Sequence, residues 1–220
     1  MRRHIYRLIS FTLMLVLCVF ACTGCSNDKE KLYENYVKSL IGINYLGASA
    51  DYIKATGASQ ADADALYEAN MKLLADNILT YYGVVITDAP ELESEYIELA
   101  KHIYSKVNYS IDRVYEGKDS YYVDIIIYPM DIFNQCADDV YAYVEVFNTA
   151  VSNGSYNEYT LNEYETIFSR GLIDILFEGS LVMEYAEPQT VTVQIIDDGK
   201  TYKISDSDFL KIDSAMFNIN

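Results

Sequence analysis

The residues with the clearest chemical meaning lie near the amino terminus, in the run Cys22-Thr23-Gly24-Cys25-Ser26. Lipoprotein signal peptidase cuts before a cysteine that follows small residues, once that thiol has been joined to a diacylglycerol. Cys25 meets this requirement, with Gly24 and Thr23 before it, although Cys22 stands at the third position back, where leucine is usual. Cys22 itself is a poorer acceptor, because bulky Phe20 sits two residues before it. The expected chemistry is therefore cleavage between Gly24 and Cys25 and lipidation of Cys25.

Other reactive groups are sparse. There is no Gly-x-Ser-x-Gly, and the Ser-x-x-Lys formed by Ser26 and Lys29 lies where no pocket is expected. Past Cys25 one histidine remains, His102, one turn after Glu98 on a side of its helix away from Tyr96 and Ile103; a solvated position is expected. One thiol remains, Cys136, on an apolar stripe, where a small buried hydrophobe is expected rather than a nucleophile. Zinc ligands are lacking. Acid pairs (Asp62 with Asp64, Asp138 with Asp139, Asp197 with Asp198, Asp206 with Asp208) leave room only for an irregular calcium site, because none continues into an EF-hand loop. Paired carboxylates could hydrolyse a glycoside, but 33 acids make any single pair uninformative. No catalytic residue, metal ligand or cofactor is assigned.

The segment before Cys25 has the form of an export signal. Arg2, Arg3 and Arg7 precede an apolar run from Leu8 to Ala21. As a helix that run would be about 21 Å long, short of the roughly 30 Å hydrocarbon core of a bilayer. Three of the 16 basic residues and none of the 33 acids lie in this segment, which leaves a net charge of −20 beyond it. Nucleic acid needs clustered Lys and Arg, so it is excluded as a partner, and anionic lipid is repelled. Membrane attachment must come from acyl chains, at about 0.8 kcal/mol per buried CH₂. With Cys25 lipidated, Cys136 has no intramolecular partner for a disulfide, so packing alone must hold the fold.

The elements that position these residues follow from periodicity. A first helix is expected from about Leu32 to Lys54, with Tyr33, Tyr36, Val37, Leu40 and Ile41 inward and Gly57 ending it. Ser59 with Asp62 should cap a second, whose apolar face is Leu66, Leu73, Leu74, Ile78 and Tyr81. Asp88 should open a third, with Pro90 in its first turn and Tyr96, Leu99 and Ile103 buried. The period then shifts to two. Tyr109, Ile111 and the run Tyr121 to Tyr128 predict a hairpin around Gly117, with Ile125, Ile126 and Ile127 covered on both faces. Asp131 should cap a fourth helix carrying Ile132, Cys136, Val140, Val144, Phe147 and Val151. Thr160 with Glu163 should cap a fifth, burying Tyr164, Ile167, Phe168, Ile175 and Leu176. A second hairpin turns at Asp198-Gly199 between Val191, Val193, Ile195 and Tyr202, Ile204; a short last helix follows, capped by Asp206 or Asp208.

The fold class is α+β: about five to six helices on an antiparallel sheet made from two β-hairpins. The order helix-helix-hairpin occurs twice and points to a duplicated unit. The expected organisation is a signal peptide over 1–24, a lipidated tether over 25–31, and one extracytoplasmic domain over 32–220. Tyrosine is abundant, with 22 residues and no tryptophan. Its flat face and polar tip suit both packing and recognition of glycans or proteins.

Gly24-Cys25, helical segments around Asn44-Tyr45-Leu46-Gly47 and Ala61 to Tyr82, and then Tyr121-Tyr122-Val123-Asp124 together resemble a family of Gram-positive bacterial lipoproteins filed as a domain of unknown function. The likeness covers most of 32–220 and departs from the family at Tyr202, where such proteins often carry a tryptophan. It implies an address and an architecture, and no catalytic residue. The expected function is that of a membrane-anchored extracytoplasmic domain, lipid-held at the cell membrane, binding a glycan, cell-wall or protein ligand without catalysis. Two alternatives stand beside it: an extracellular hydrolase using paired carboxylates, and a ligand-capturing lipoprotein of a transporter.

Overall fold

The computed structural model describes residues 18–19, 26–86, 89–197 and 201–219. Cys25, Gly24, Asp88 and the Asp198-Gly199 turn, all singled out above, lie outside the described residues.

Helix α1 (Ser26–Leu46) begins at Ser26, so the stretch expected as a polar tether is already helical. Tyr33, Tyr36, Val37, Leu40 and Ile41 are all buried, as their spacing predicts. Where one helix to Lys54 is predicted, the chain breaks after Leu46. Gly47 adopts a φ of +65°, and a Cβ there would sit 3.1 Å from the ring of Tyr67, so both backbone strain and packing favour glycine. The chain resumes as α2 (Ser49–Thr56), which ends at Gly57 as predicted.

Helix α3 (Gln60–Tyr82) is capped reciprocally: Asp62 N donates to Ser59 Oγ at 3.1 Å and Ser59 N donates to the Asp62 carboxylate at 3.3 Å. Replacing Ser59 with alanine is expected to cost about 1 kcal/mol, measurable in a denaturant melt. Leu74 and Ile78 enter the core with Ala63, Met71 and Ala75. Tyr81, predicted on that face, is instead 38% exposed; its ring meets Tyr82 edge-on at 4.9 Å and lies tilted against buried Phe133 at 4.7 Å. Helix α4 (Pro90–Tyr104) starts on its proline and buries Tyr96, Leu99 and Ile103 as expected.

Strands β2 (Asn108–Glu116) and β3 (Tyr121–Tyr128) form the first hairpin. Ile125 and Ile127 are fully buried, but Ile126 is only half-buried, so β3 is not covered equally on both faces. The single helix predicted from Asp131 is two. A one-turn α5 (Ile132–Gln135) meets α6 (Ala137–Ser152) at Cys136, whose φ of −91° and ψ of 0° break the helical path. Asp131 does not cap it with its side chain; its carboxylate accepts from Asn134 and Asn218. Val151, predicted inward, is exposed. Helix α7 (Leu161–Leu181) has the predicted Thr160–Glu163 capping box.

Strand β4 (Gln189–Asp197) alternates as predicted, and β5 (Thr201–Lys203) returns beside it. Helix α8 (Asp206–Ala215) is capped by Ser205 rather than by an aspartate. Asp208 serves the sheet instead, accepting from Gln194 N at 2.9 Å. A two-residue strand β1 (Cys18–Val19), within the segment expected as the signal peptide, pairs with β5 in this full-length chain, giving the order β1-β5-β4-β3-β2, antiparallel throughout; the expected mature domain keeps β5-β4-β3-β2.

Helices cover one face of the sheet. Helix α1 packs on β2 and β3 and α8 on β4, with α3, α4 and then α7 outside α1. The two predicted hairpins do share one sheet, but they are unequal: the return strand β5 has three residues against eight in β3. Among the described residues there are eight helices, not five or six, because the first and fourth predicted helices each divide.

Candidate functional site

The start of α1 is fastened to one end of the sheet. Tyr33 OH donates to Asp197 Oδ2 at 2.6 Å, and Lys29 Nζ lies 3.4 Å from the same oxygen. Residue 25 directly precedes this helix. At the other end of β4, the segment after α7 closes over the start of α5: Asp131 N donates to Glu184 O and Ala186 N to Pro129 O, both at 2.9 Å. The nine residues of β4 separate these two ends by about 26 Å.

At that far end a groove of about 520 Å³ opens between the α5–α6 junction and the carboxyl half of α7. Cys136, Ile175, Gly179 and Val182 give it an apolar share of the lining, and Asp139, Asp174 and Glu178 line it as well. Gln135, also in the lining, is fixed in place: its Nε2 donates to Gly179 O at 3.0 Å, and its Oε1 accepts from Glu184 N at 3.0 Å. The Cys136 thiol is buried and lies 3.8 Å from Ile175 O. Burial, with the nearby Asp139 charge, pushes its pKa up to about 11. It is protonated at neutral pH, which suits the packing role read from its sequence position and not nucleophilic attack.

His102 is not fully solvated as predicted. Its ring packs on Phe177 of α7 at a centroid distance of 4.5 Å, and burial followed by the Lys106 charge lowers its pKa. The periodicity of α4 alone could not show this, because α7 covers a second side of that helix. The acid pairs considered for calcium are dispersed among other tasks. Asp62 caps α3, Asp64 accepts from Gln60, and Asp197 holds α1. Among the described residues no three His, Cys, Asp or Glu side chains are grouped to hold a metal.

The sheet face away from the helices carries Arg113, Tyr115, Tyr122 and Asp124. Tyr122 stacks on Tyr115 at 5.6 Å and Arg113 lies over the Tyr115 ring at 4.8 Å. Arg113 Nε donates to Asp124 at 2.7 Å, and Thr192 Oγ1 donates to its other oxygen at 2.6 Å. Burial alone would raise the Asp124 pKa; these two donors outweigh it and hold the carboxyl below its ordinary value. The row links three strands. Truncating Asp124 to alanine is expected to cost about 1–2 kcal/mol, read as a lower urea midpoint. The tyrosine pair thus uses its ring faces internally and shows mainly edges to solvent.

One functional-looking acid was missed entirely. Asp213 on α8 is turned inward and accepts a hydrogen bond from Tyr45 OH of α1. The Tyr45 ring packs on Tyr104 at 5.1 Å and stacks on Phe209 at 6.0 Å. Burial raises the Asp213 pKa to about 6, with the Tyr45 hydrogen bond pulling the other way. Its polar neighbours are phenols, so it does not form a two-carboxylate hydrolytic pair. Only the short polar spacing of α8 marks Asp213 in the chain, and that signal is shared by most surface acids.

No family model matches this chain, and no curated protein matches it. A solved structure does. It is the crystal structure of a "putative lipoprotein (ycdA)" from Bacillus subtilis, with a TM-score of 0.61 and 18% sequence identity. The match covers 88% of this chain and 58% of the Bacillus chain, so this protein spans under two thirds of that neighbour's length. At this identity the likeness establishes a shared α+β fold. Among the described residues no helix is long and apolar enough to cross a membrane.

Proposed function

We propose that this protein is a lipid-anchored extracytoplasmic binding domain, held by a diacylglyceryl thioether on Cys25, with its α5–α7 groove facing away from the bilayer. The observation that carries this reading is the fastening of α1 to the Asp197 end of the sheet, immediately after Gly24-Cys25. With no spacer between anchor and domain, the lipid end and the groove end are held apart by the length of β4. The neighbour's description as a lipoprotein supports the same address.

Binding is favoured over hydrolysis by the protonated, buried thiol of Cys136 and by Asp213 meeting tyrosines instead of a second carboxylate. It is favoured over a transporter's clamshell by one sheet with helices on a single face.

Replacing Cys25 with alanine in the native host tests the anchor. The expected result is loss of the membrane-bound fraction and loss of lipid labelling. A variant that stays membrane-bound and lipid-labelled would refute it, as would an unmodified amino terminus in the intact mass of native protein.

A further inference from the structure

We propose that the groove between the α5–α6 junction and α7 docks a cationic amphipathic peptide segment, seating its apolar side on the apolar lining and its Lys or Arg side chains against the lining carboxylates. The proposal rests on the binding reading above and names the class of partner.

Three observations combine. Cys136, Ile175, Gly179 and Val182 give the groove its apolar share of the lining. Val182 is 71% exposed, and its chain neighbour Leu181 is 52% exposed. Asp139, Asp174 and Glu178 line it as well, and no basic side chain lines the groove to neutralise them.

The surrounding chain has the same bias. Between Lys118 and Lys200 the sequence contains a single basic residue, Arg170. Its guanidinium is already committed to Glu95, with Nε donating to both carboxylate oxygens at 3.1 and 3.3 Å and Nη2 donating to Oε1 at 2.8 Å. A second copy of this chain would bring acids to acids, so self-association on this face is disfavoured. A neutral apolar segment would leave three lining carboxylates without a counter-charge as the groove loses water. A segment with cations on one side and aliphatic groups on the other satisfies both surfaces, with charge steering the approach and apolar contact holding the complex.

The test uses the mature lipidated protein in phosphatidylcholine nanodiscs and a fluorescent 14-residue Leu/Lys amphipathic helix, with empty discs as the blank. Saturable binding is expected, and a peptide of equal charge with its leucines replaced by serine should bind at least tenfold more weakly. Asp139→Asn with Asp174→Asn and Glu178→Gln should weaken binding tenfold or more. Leu181→Ser with Val182→Ser, which leaves net charge unchanged, should do the same. Removing three acids elsewhere, with Asp51→Asn, Asp112→Asn and Asp119→Asn, should change affinity less than twofold. Thermal melts of each variant confirm folding. Equal weakening by the remote acids, or no effect of the Leu181 and Val182 pair, would overturn the proposal in favour of diffuse attraction. Absence of saturable binding would overturn it as well. A protein that fails to enter the discs contradicts the anchor; one that enters and does not bind contradicts only the groove assignment.

Discussion

Asp213→Asn is expected to stabilise the protein at pH 7.5 and to do nothing of the kind at pH 4. In the folded protein this carboxyl holds its proton up to about pH 6, because burial penalises the charge. In the unfolded chain it loses the proton near its ordinary value of 3.8. Below that ordinary value both states are protonated and the site carries no penalty. As pH climbs from about 3.8 to about 6 the unfolded chain releases the proton while the folded state still holds it, so stability is lost across this window and the loss is complete above it. A displacement of about two pKa units corresponds to roughly 3 kcal/mol once ionisation is complete. The amide keeps an oxygen to accept from Tyr45 and removes the charge, so about 2 kcal/mol should be recovered near neutrality, a rise of roughly 4–8 °C in Tm. The measurement is the Tm difference between variant and parent at half-unit steps from pH 4 to 8. A difference that is flat across the range would show that Asp213 does not titrate with folding.

The second large effect is a change of sign. Gly179 on α7 lies so near Cys136 that a Cβ built on it falls 2.3 Å from Sγ and 3.1 Å from Ile132 Cδ1. Alanine would ordinarily add about 1 kcal/mol of helix propensity at such a position. Here the collision forces α5 and α7 apart, and overpacking of this kind costs typically 1–3 kcal/mol. With contact this close the net expectation for Gly179→Ala is a loss of about 2 kcal/mol. In a Cys136→Ala background the sulfur is gone and its volume accepts the new methyl. There Gly179→Ala should be neutral or gain up to about 1 kcal/mol. The double-mutant cycle should thus give a coupling of about 2–3 kcal/mol from urea midpoints. Additive single effects would mean that α7 can shift to relieve the contact, and that the Gly179 approach is not what sets the helix spacing.

Much of this architecture could be read from local signals. Both capping boxes, the strand from Tyr121 to Tyr128 and the buried stripe of α1 follow from spacing and cap chemistry within a few residues. What escaped has a common cause, namely contact between segments distant in the chain. The break after Leu46 is set by a φ and by Tyr67, twenty residues on. The break at Cys136 is accompanied by Gln135 reaching to Gly179 and Glu184. His102 looked solvated because nothing near it in sequence announces Phe177. The groove was invisible for the same reason: Asp139, Asp174 and Glu178 are unremarkable until α6 and α7 lie side by side. Asp213 needed α1 and α4 to close over it before its environment could differ from that of any other acid.

The eighty-one positions between Lys118 and Lys200 hold no primary amine and one arginine. Trypsin can therefore cut this stretch only after Arg170, inside α7 and bound to Glu95. The folded arm should survive a limited digest that trims the rest. Amine-reactive tags and cross-linkers would decorate the chain up to Lys118 and its last twenty-one residues, leaving the groove region silent; carboxyl-directed reagents are the ones that would report on it.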